Sequence, residues 1–234
     1  MTTIANDCDP RLKSTIYIPG DYKSNIYNIV FEKPEIASGT NFICPTGFSP
    51  KKGSNPDDPG AGVTQEAHKG ETGLIFFRYG ELLLNYAEAK YELGNTVSYE
   101  QLNLLRKRVG MPDFEVNPLS TFFIKDDYGY PVSDELYAIR QERRVELALE
   151  GLRDEDYRRW AAHTLFKGKR PKGYPFNQQE FPDYNPPLDE NGLIDYYKNT
   201  VPNGYQFRED QDYLYSIPQD ELVLNPNLVQ NPGW

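Results

Sequence analysis

The sequence holds few of the residues that build metal centres or disulfide frameworks. Only two cysteines, Cys8 and Cys44, and two histidines, His68 and His163, occur among 234 residues. Two thiols without convergent partners can form neither a zinc site nor a disulfide scaffold. We therefore expect no metal and no cofactor. Cys8 and Cys44 are expected to be two ordinary thiols or one incidental bridge.

Positive charge is also scarce, and long apolar runs are missing. The chain has 25 basic and 35 acidic residues, a formal net charge of −10 and a pI near 4.8. A surface that binds nucleic acid needs a broad positive field to hold phosphates, so no nucleic-acid partner is expected. No segment reaches the roughly 18 apolar residues that a membrane helix requires. Residues 1–7 also lack the basic and apolar regions of a secretory signal.

The sequence contains none of the common catalytic motifs. We find no His-Glu-x-x-His, no Gly-x-Ser-x-Gly, no phosphate loop and no dinucleotide fingerprint. Glycoside hydrolysis would need two carboxylates held across a cleft, and an abundance of acids in an acidic chain identifies no such pair. We therefore predict that the protein is not an enzyme, and a hydrolase remains the third and weakest hypothesis.

What the sequence does contain is a set of amphipathic helical patterns. Leu84, Ala87 and Tyr91 recur at helical spacing, and Ser98 followed by Gln101 forms a capping-box pattern. Gly151 is expected to end a third, charge-rich helix. The predicted helices cover residues 74–93, 98–109, 133–150 and 153–163, with a short helical turn at 218–222. Short strands are possible at 14–18 and 26–31.

Long irregular segments flank these helices. Proline and glycine interrupt every apolar run before residue 73, and the chain is again rich in turns after residue 167. The first helix pair partly matches a tetratricopeptide unit, although Glu88 stands where that repeat has a small residue. Helices with an open solenoid edge normally pack against further helices, so we expect the chain to be part of a larger, all-α unit.

Four stretches, in order along the chain, carry a family signature. Residues 77–90 read FRYGELLLNYAEAK, and residues 139–153 read IRQERRVELALEGLR, with DYRRW at 156–160. The tail reads YLYSIPQDEL at 213–222, and an upstream turn joins DPRL at 9–12 to PGD at 19–21. These stretches resemble the C-terminal part of SusD/RagB proteins. The chain departs from that pattern at Ser216, where the family usually has proline, and at Gly80, where it has alanine.

The resemblance implies a fold and a role. It implies an all-α, tetratricopeptide-like helical scaffold with long irregular loops, in which residues 1–73 are the candidate glycan-site region and 74–234 the C-terminal helical domain. It implies a non-catalytic protein that binds an oligosaccharide or related nutrient at the outer membrane, on the cell surface. The implied partner is a SusC-like TonB-dependent transporter. Family members carry a signal peptide and a lipid-anchor cysteine, and neither is found in this sequence, so we expect a fragment.

Aromatic side chains in the loops are the candidate ligand contacts. A sugar ring has an apolar face that stacks on an aromatic ring, while its hydroxyl groups need polar partners at the edge. The resemblance implies that the segment before residue 77 forms much of the sugar site, and we select Tyr22, Tyr27, Phe42 and Phe48. Later loops add further candidates at Tyr128, Tyr130, Tyr174, Tyr184, Tyr196, Tyr197 and Tyr205.

Two readings of the remaining features stay open. The arginines and glutamates of residues 140–153 could form an anion site, but an ion-pair network that joins helices is the favoured interpretation. The alternative to glycan binding is a helical scaffold that docks the transporter and has no glycan site in this part of the protein. Trp160 is expected in the core, and Trp234 is expected to dock on the scaffold.

Overall fold

The computed structural model describes residues 6, 8–36, 43–58, 73, 75–122 and 125–234. Within these ranges the regular structure is mainly helical, with one small two-stranded sheet. The helices are α1 (Leu12–Thr15), α2 (Tyr79–Gly94), α3 (Tyr99–Arg108), α4 (Asp134–Glu146), α5 (Arg153–Arg159) and α6 (Gln219–Leu224). Short 3-10 turns cover Leu119–Thr121, His163–Leu165 and Tyr196–Lys198. None of the helices in these ranges has the length and apolar character needed to cross a bilayer.

The main core lies where α2 contacts both α3 and α4. Leu84, Leu102 and Ile139 come from these three helices in turn, and each is fully buried. Burying such side chains is the main favourable contribution to folding, at about 1.5–3 kcal/mol each. The buried members of this core are Leu83, Leu84, Ala87, Tyr91, Leu102, Leu105, Phe114, Ile139 and Leu147.

The helix boundaries differ from the predicted ones in three places. The first predicted helix begins too early, because Ile75, Phe76 and Phe77 precede α2 and are exposed. The third helix ends at Glu146, before Gly151, and Leu149 follows with a left-handed φ of 64°. The fourth ends at Arg159 and not at residue 163. The pattern continues past the ends of α4 and α5 because Leu147 and Trp160, which follow these helices, are also buried.

Of the two helix starts predicted at a serine, Ser98 and Ser133, only Ser133 forms a capping hydrogen bond. The Ser98 side chain makes no capping hydrogen bond, and its hydroxyl is buried without a partner among the described residues. Ser133, in contrast, accepts a hydrogen bond from the backbone N–H of Leu136 at 3.2 Å and so begins α4. Its hydroxyl also lies 2.7 Å from that of Tyr91, which ties the start of α4 to α2.

The N-terminal segment forms a small hairpin that matches the predicted strands only at residues 29–30, within the predicted range 26–31. Residues 14–18 are not a strand, because α1 covers Leu12–Thr15 and Ile16 makes only an isolated bridge with Pro50. Strand β1 (Tyr22–Ser24) pairs antiparallel with β2 (Ile29–Val30), and residues 25–28 form the turn between them. Asn28 takes a left-handed φ of 52° in this turn, a conformation that asparagine tolerates better than most residues.

An ion-pair network joins the helices, as the sequence predicted. Arg143 donates to Asp156 at 2.8 Å and to Asn85 at 2.8 Å, which links α4 to α5 and α2. Glu88, at the position where a tetratricopeptide unit has a small residue, is buried and accepts hydrogen bonds from Arg159 and Trp160. Trp160 is 4% exposed, so its predicted place in the core is confirmed.

The chain after α5 consists mainly of long loops that pack together, and we call this part of the protein the loop layer. Asp195 is buried there and accepts hydrogen bonds from Arg170 and Lys172 at 2.6 Å and 2.5 Å. The hydrogen bond from Arg170 is the main reason that the pKa of Asp195 is held well below its usual range, and Lys172 adds to it. Trp234 donates its indole N–H to the carbonyl of Leu214 at 3.0 Å, so it docks on these loops and not on the helical scaffold that the sequence analysis expected.

Candidate functional site

The β1–β2 hairpin presents aromatic side chains to solvent. Tyr22 lies in β1 and is 46% exposed, and Tyr27 lies in the turn and is 53% exposed. Ile26, next to Tyr27, is also 53% exposed, and Val30 is 38% exposed at the position paired with Tyr22. We call these four residues together with Asn25 and Asp57 the hairpin surface.

The base of the hairpin is held firmly to the body of the protein. Asp21 accepts the backbone N–H of Ile18 at 2.8 Å and pairs with Lys51 at 2.9 Å. The buried rings of Tyr17 and Phe31 lie 5.5 Å apart beneath it, with Lys23 over the Phe31 ring at 5.3 Å. Such contacts fix the strands, so that the exposed tyrosines stand on a rigid support.

Polar groups lie at the hairpin turn that carries Tyr27. The Asn25 side-chain amide donates to Asp57 at 2.7 Å, and the backbone N–H of Asn25 donates to the Pro56 carbonyl at 2.8 Å. The loop at residues 54–58 is thereby fixed next to the hairpin turn. An amide and a carboxylate beside tyrosine rings are the groups that a sugar needs, since its hydroxyls require both donors and acceptors.

Of the other two selected residues, only Phe48 belongs to the part of the chain that the structure describes. Phe42 lies outside the described residues. Phe48 is partly buried and packs against the Ile16–Ile18 cluster, and its ring centroid lies 6.2 Å from that of Tyr174. Phe48 therefore supports the loops from beneath, whereas Tyr22 and Tyr27 stand at the surface.

The later tyrosines divide into core and surface residues. Tyr128 and Tyr174 are buried, and burial raises the pKa of each hydroxyl above its usual range. Tyr130 uses its hydroxyl to donate to the Trp160 carbonyl. Tyr196 and Tyr205 are 42% and 45% exposed. Tyr184 and Tyr197 are partly buried; Tyr184 packs on the Phe181 cluster, and the ring of Tyr197 lies 5.2 Å from that of Tyr196.

The sequence analysis missed the polar half of the hairpin surface. Asn25 and Asp57 are 32 positions apart, and no local sequence pattern predicts their contact. The turn itself had a signal, because Asn25 and Asn28 bracket Ile26 and Tyr27, and asparagine favours turns. Because residues 26–31 were assigned to a strand, this pattern was not interpreted as a turn. In the described ranges, no group of three or more histidine, cysteine or acidic residues is placed to hold a metal ion.

Comparison with known proteins identifies the family to which this helical scaffold belongs. The family model of SusD/RagB proteins, described as the SusD family, matches residues 1–234. The chain belongs to the SusD family. It is similar to SusD-like protein P2 of Formosa agariphila, with 30% identity over 167 residues that cover 70% of this chain and 26% of that protein.

Solved structures agree with this assignment and confirm the predicted all-α, tetratricopeptide-like fold. BT4246 superposes with a TM-score of 0.64 at 26% identity over 97% of this chain and 36% of that one. A SusD-like carbohydrate binding protein from Bacteroides fragilis NCTC 9343, BF0978, gives a TM-score of 0.63 at 26% identity over 96% and 42%. The chain thus spans between about a quarter and two fifths of the relatives it matches.

Proposed function

We propose that this protein is a non-catalytic, glycan-binding component of an outer-membrane nutrient uptake system. The hairpin surface makes the contact, with Tyr22 and Tyr27 stacking on the apolar faces of sugar rings. Asn25 and Asp57 bind the hydroxyl groups at the ring edges. Phe42, from the same segment, is the remaining proposed contact, and Phe48 supports these loops from beneath.

The single observation that carries this proposal is the exposure of two tyrosines on an anchored hairpin. Tyr22 and Tyr27 are 46% and 53% exposed, and Asn25, which is bonded to Asp57, lies in the same turn as Tyr27. An aromatic ring on a rigid support binds a ligand at low entropic cost, because little conformational freedom remains to be lost. The Bacteroides fragilis relative is a SusD-like carbohydrate binding protein, which is consistent with this choice of ligand.

The proposed role is to bind a glycan without cleaving it. Stacking and hydrogen bonding to a shallow surface hold a sugar without bringing a pair of acids to opposite sides of one glycosidic bond. At the hairpin surface the carboxylate is Asp57, and it already accepts a hydrogen bond from Asn25. We therefore propose that the bound glycan is handed on intact.

The proposed recipient is a SusC-like TonB-dependent transporter, and the proposed location is the outer membrane, on the cell surface. We propose that membrane association comes through a lipid anchor. Family membership supports both points, because the SusD family matches over the full chain.

Isothermal titration calorimetry against a panel of neutral and acidic oligosaccharides tests the proposal. We expect one glycan to bind, and Tyr27→Ala to weaken its affinity by about five- to tenfold through loss of the stacking contact. Tyr86→Ala is the matched control, since Tyr86 is 50% exposed on α2, away from the hairpin. Unchanged binding in the Tyr27→Ala and Tyr22→Ala variants would rule out the hairpin surface as the site.

A scaffold without a glycan site is the second candidate, and one feature of α2 favours it. Tyr79, Leu82, Tyr86 and Leu93 are 65%, 47%, 50% and 90% exposed and share one side of the helix. A helix that is apolar on both sides normally packs on both. If no glycan of the panel binds, the scaffold without a glycan site is favoured. If reducing ends are released during incubation with a glycan, the protein is a hydrolase.

A further inference from the structure

A groove that contains none of the hairpin residues lies beside the N-terminal turn. It has a volume of about 200 Å³ and lies between the turn before α1, the α3–α4 loop and α4. Its α4 wall is formed by Ala138, Gln141 and Val145, which are three and four positions apart and therefore share one helix face. We call it the α4 groove.

Two aromatic side chains shape the α4 groove. Phe122 lies at its lip and is 38% exposed, with its ring held 5.5 Å from that of Tyr137 at an angle of 61°. Phe114 lines the groove but is buried, and its backbone N–H donates to the Asn103 side chain at 2.6 Å. The loop is thus pinned to α3, and the Phe122 ring is presented on a fixed edge.

The charges that line the groove largely neutralise one another. Arg11 pairs with Asp9 at 2.6 Å, and Arg106 pairs with Glu142 at 2.9 Å. Glu115 is exposed, and within the part of the chain that the structure describes it forms no ion pair or hydrogen bond. The residues that line the groove therefore carry a slight excess of negative charge. Among those that the structure describes, each cation already has an acidic partner, which disfavours an acidic ligand.

Unused polar groups remain at the same place. Asn117 is exposed and, among the described residues, its amide has no hydrogen-bond partner. Gln141 donates its side-chain N–H to Asp126 at 2.7 Å, which leaves its carbonyl oxygen as an acceptor. The groove thus combines one exposed ring face with a donor and several acceptors.

We propose that the α4 groove is a second carbohydrate subsite that takes one neutral sugar residue. The ring's C–H face lies on Phe122, and its hydroxyl groups bind Asn117, the Gln141 carbonyl and Glu115. The volume is below the roughly 300–1,000 Å³ of pockets for drug-sized ligands, which suits a single ring. The inference rests on the proposed function for the class of ligand, but it uses none of the hairpin residues.

Chemical-shift mapping by ¹H–¹⁵N NMR tests the subsite on the 234-residue chain. Glucose, galactose, mannose and N-acetylglucosamine are titrated separately, with glucuronate as the charged comparison. We expect a neutral sugar to shift the side-chain amides of Asn117 and Gln141, and glucuronate to shift neither. Asn117→Ala and Phe122→Ala should each weaken this binding by about fivefold or more. Asn199→Ala, at another exposed asparagine, should leave it unchanged.

The pattern of shifts separates this inference from the proposed function. Shifts at Asn117 and Gln141 that the Asn117→Ala and Phe122→Ala variants weaken support the subsite, whether or not Asn25 on the hairpin also responds. Shifts at Asn25 alone leave the proposed function standing and overturn the subsite. Shifts at neither place for any neutral sugar, or equal shifts with glucuronate, overturn the subsite as well.

Discussion

Arg11 and Glu142 are 131 positions apart in the sequence, yet Nη1 of Arg11 donates to Oε1 of Glu142 at 2.6 Å with both side chains buried. The same nitrogen donates to Glu146 at 3.1 Å, one turn further along α4. Burial by itself lowers the pKa of Arg11, but its hydrogen bonds to Asp9 and Glu142 outweigh burial and raise the pKa overall. This arginine therefore fastens the N-terminal loop segment to the helical scaffold.

Arg11→Ala is expected to lower the free energy of unfolding by about 3 kcal/mol, because it leaves buried carboxylates of α4 short of a partner. Urea denaturation followed by circular dichroism measures this change. Lys13→Ala is the control, since the Lys13 side chain is exposed and donates to Asn6 on the surface. A loss below about 1 kcal/mol would show that the pair is not important for stability.

Glu88→Ala is expected to be strongly destabilising, by about 3–5 kcal/mol, although alanine is the kind of residue that a tetratricopeptide unit has there. Arg140 donates to Glu88 at 3.3 Å and Arg159 at 2.6 Å, and Arg140 would lose its buried partner. Thermal melting and urea denaturation both report the loss.

The matched control for Glu88→Ala is Glu92→Ala, one turn further along α2. The Glu92 side chain is 53% exposed and lies 3.4 Å from the same Arg140. An exposed pair contributes roughly 0–1 kcal/mol, so this variant should be close to the parent protein. Equal effects of the two variants would contradict a special role for the buried carboxylate.

Gly204→Ala is expected to destabilise the loop layer much more than Gly192→Ala. Both glycines have a left-handed φ, at 69° and 75°, so each substitution costs about 1–2 kcal/mol in backbone strain. A methyl group at Gly204 would also meet the backbone of Gly168, whereas nothing lies within 4 Å at Gly192. Hydrogen exchange of the amides around Gly168 should accelerate only in the Gly204→Ala variant.

Among the described carboxylates whose pKa is lowered in the folded state, Glu209 and Asp212 pair with exposed cations, so acid should destabilise the protein mainly through the other three. These are Asp195, bonded to Arg170 and Lys172, together with Asp9 and Glu150, whose hydrogen bonds outweigh the effect of burial. In the unfolded chain their pKa returns to 3.8 for aspartate and 4.5 for glutamate. The stabilisation is therefore complete above these values and is lost as pH falls through them towards the lower folded pKa.

Urea denaturation at a series of pH values between 7 and 3 checks this dependence. The free energy of unfolding should stay level down to about pH 5 and then fall. Asp195→Asn should be less stable at pH 7 but should show a shallower decline below pH 5. An unchanged slope in this variant would mean that Asp195 contributes little to the acid response.

Local pattern was enough to predict most of the helices. The spacing of Leu84, Ala87 and Tyr91 and the position of Ser133 identify α2 and the start of α4, since both signals act within one or two turns. The end of α4 could not be found in this way. Glu150 pairs with Arg78 and Lys52, which come from other parts of the chain, and the helix has already ended at Glu146.

Composition and order of residues established the broad character of this protein: a helical, Arg- and Glu-rich scaffold with tyrosine-bearing loops and little material for metal or redox chemistry. Tertiary structure alone decided which tyrosines are exposed and which polar groups meet them. Tyr27 and Tyr174 both stand in loops of similar composition, yet one is half exposed and the other buried. The reason is physical: periodicity reports contacts between near neighbours, whereas Asn25 meets Asp57, and Arg11 meets Glu142, only after distant segments have packed.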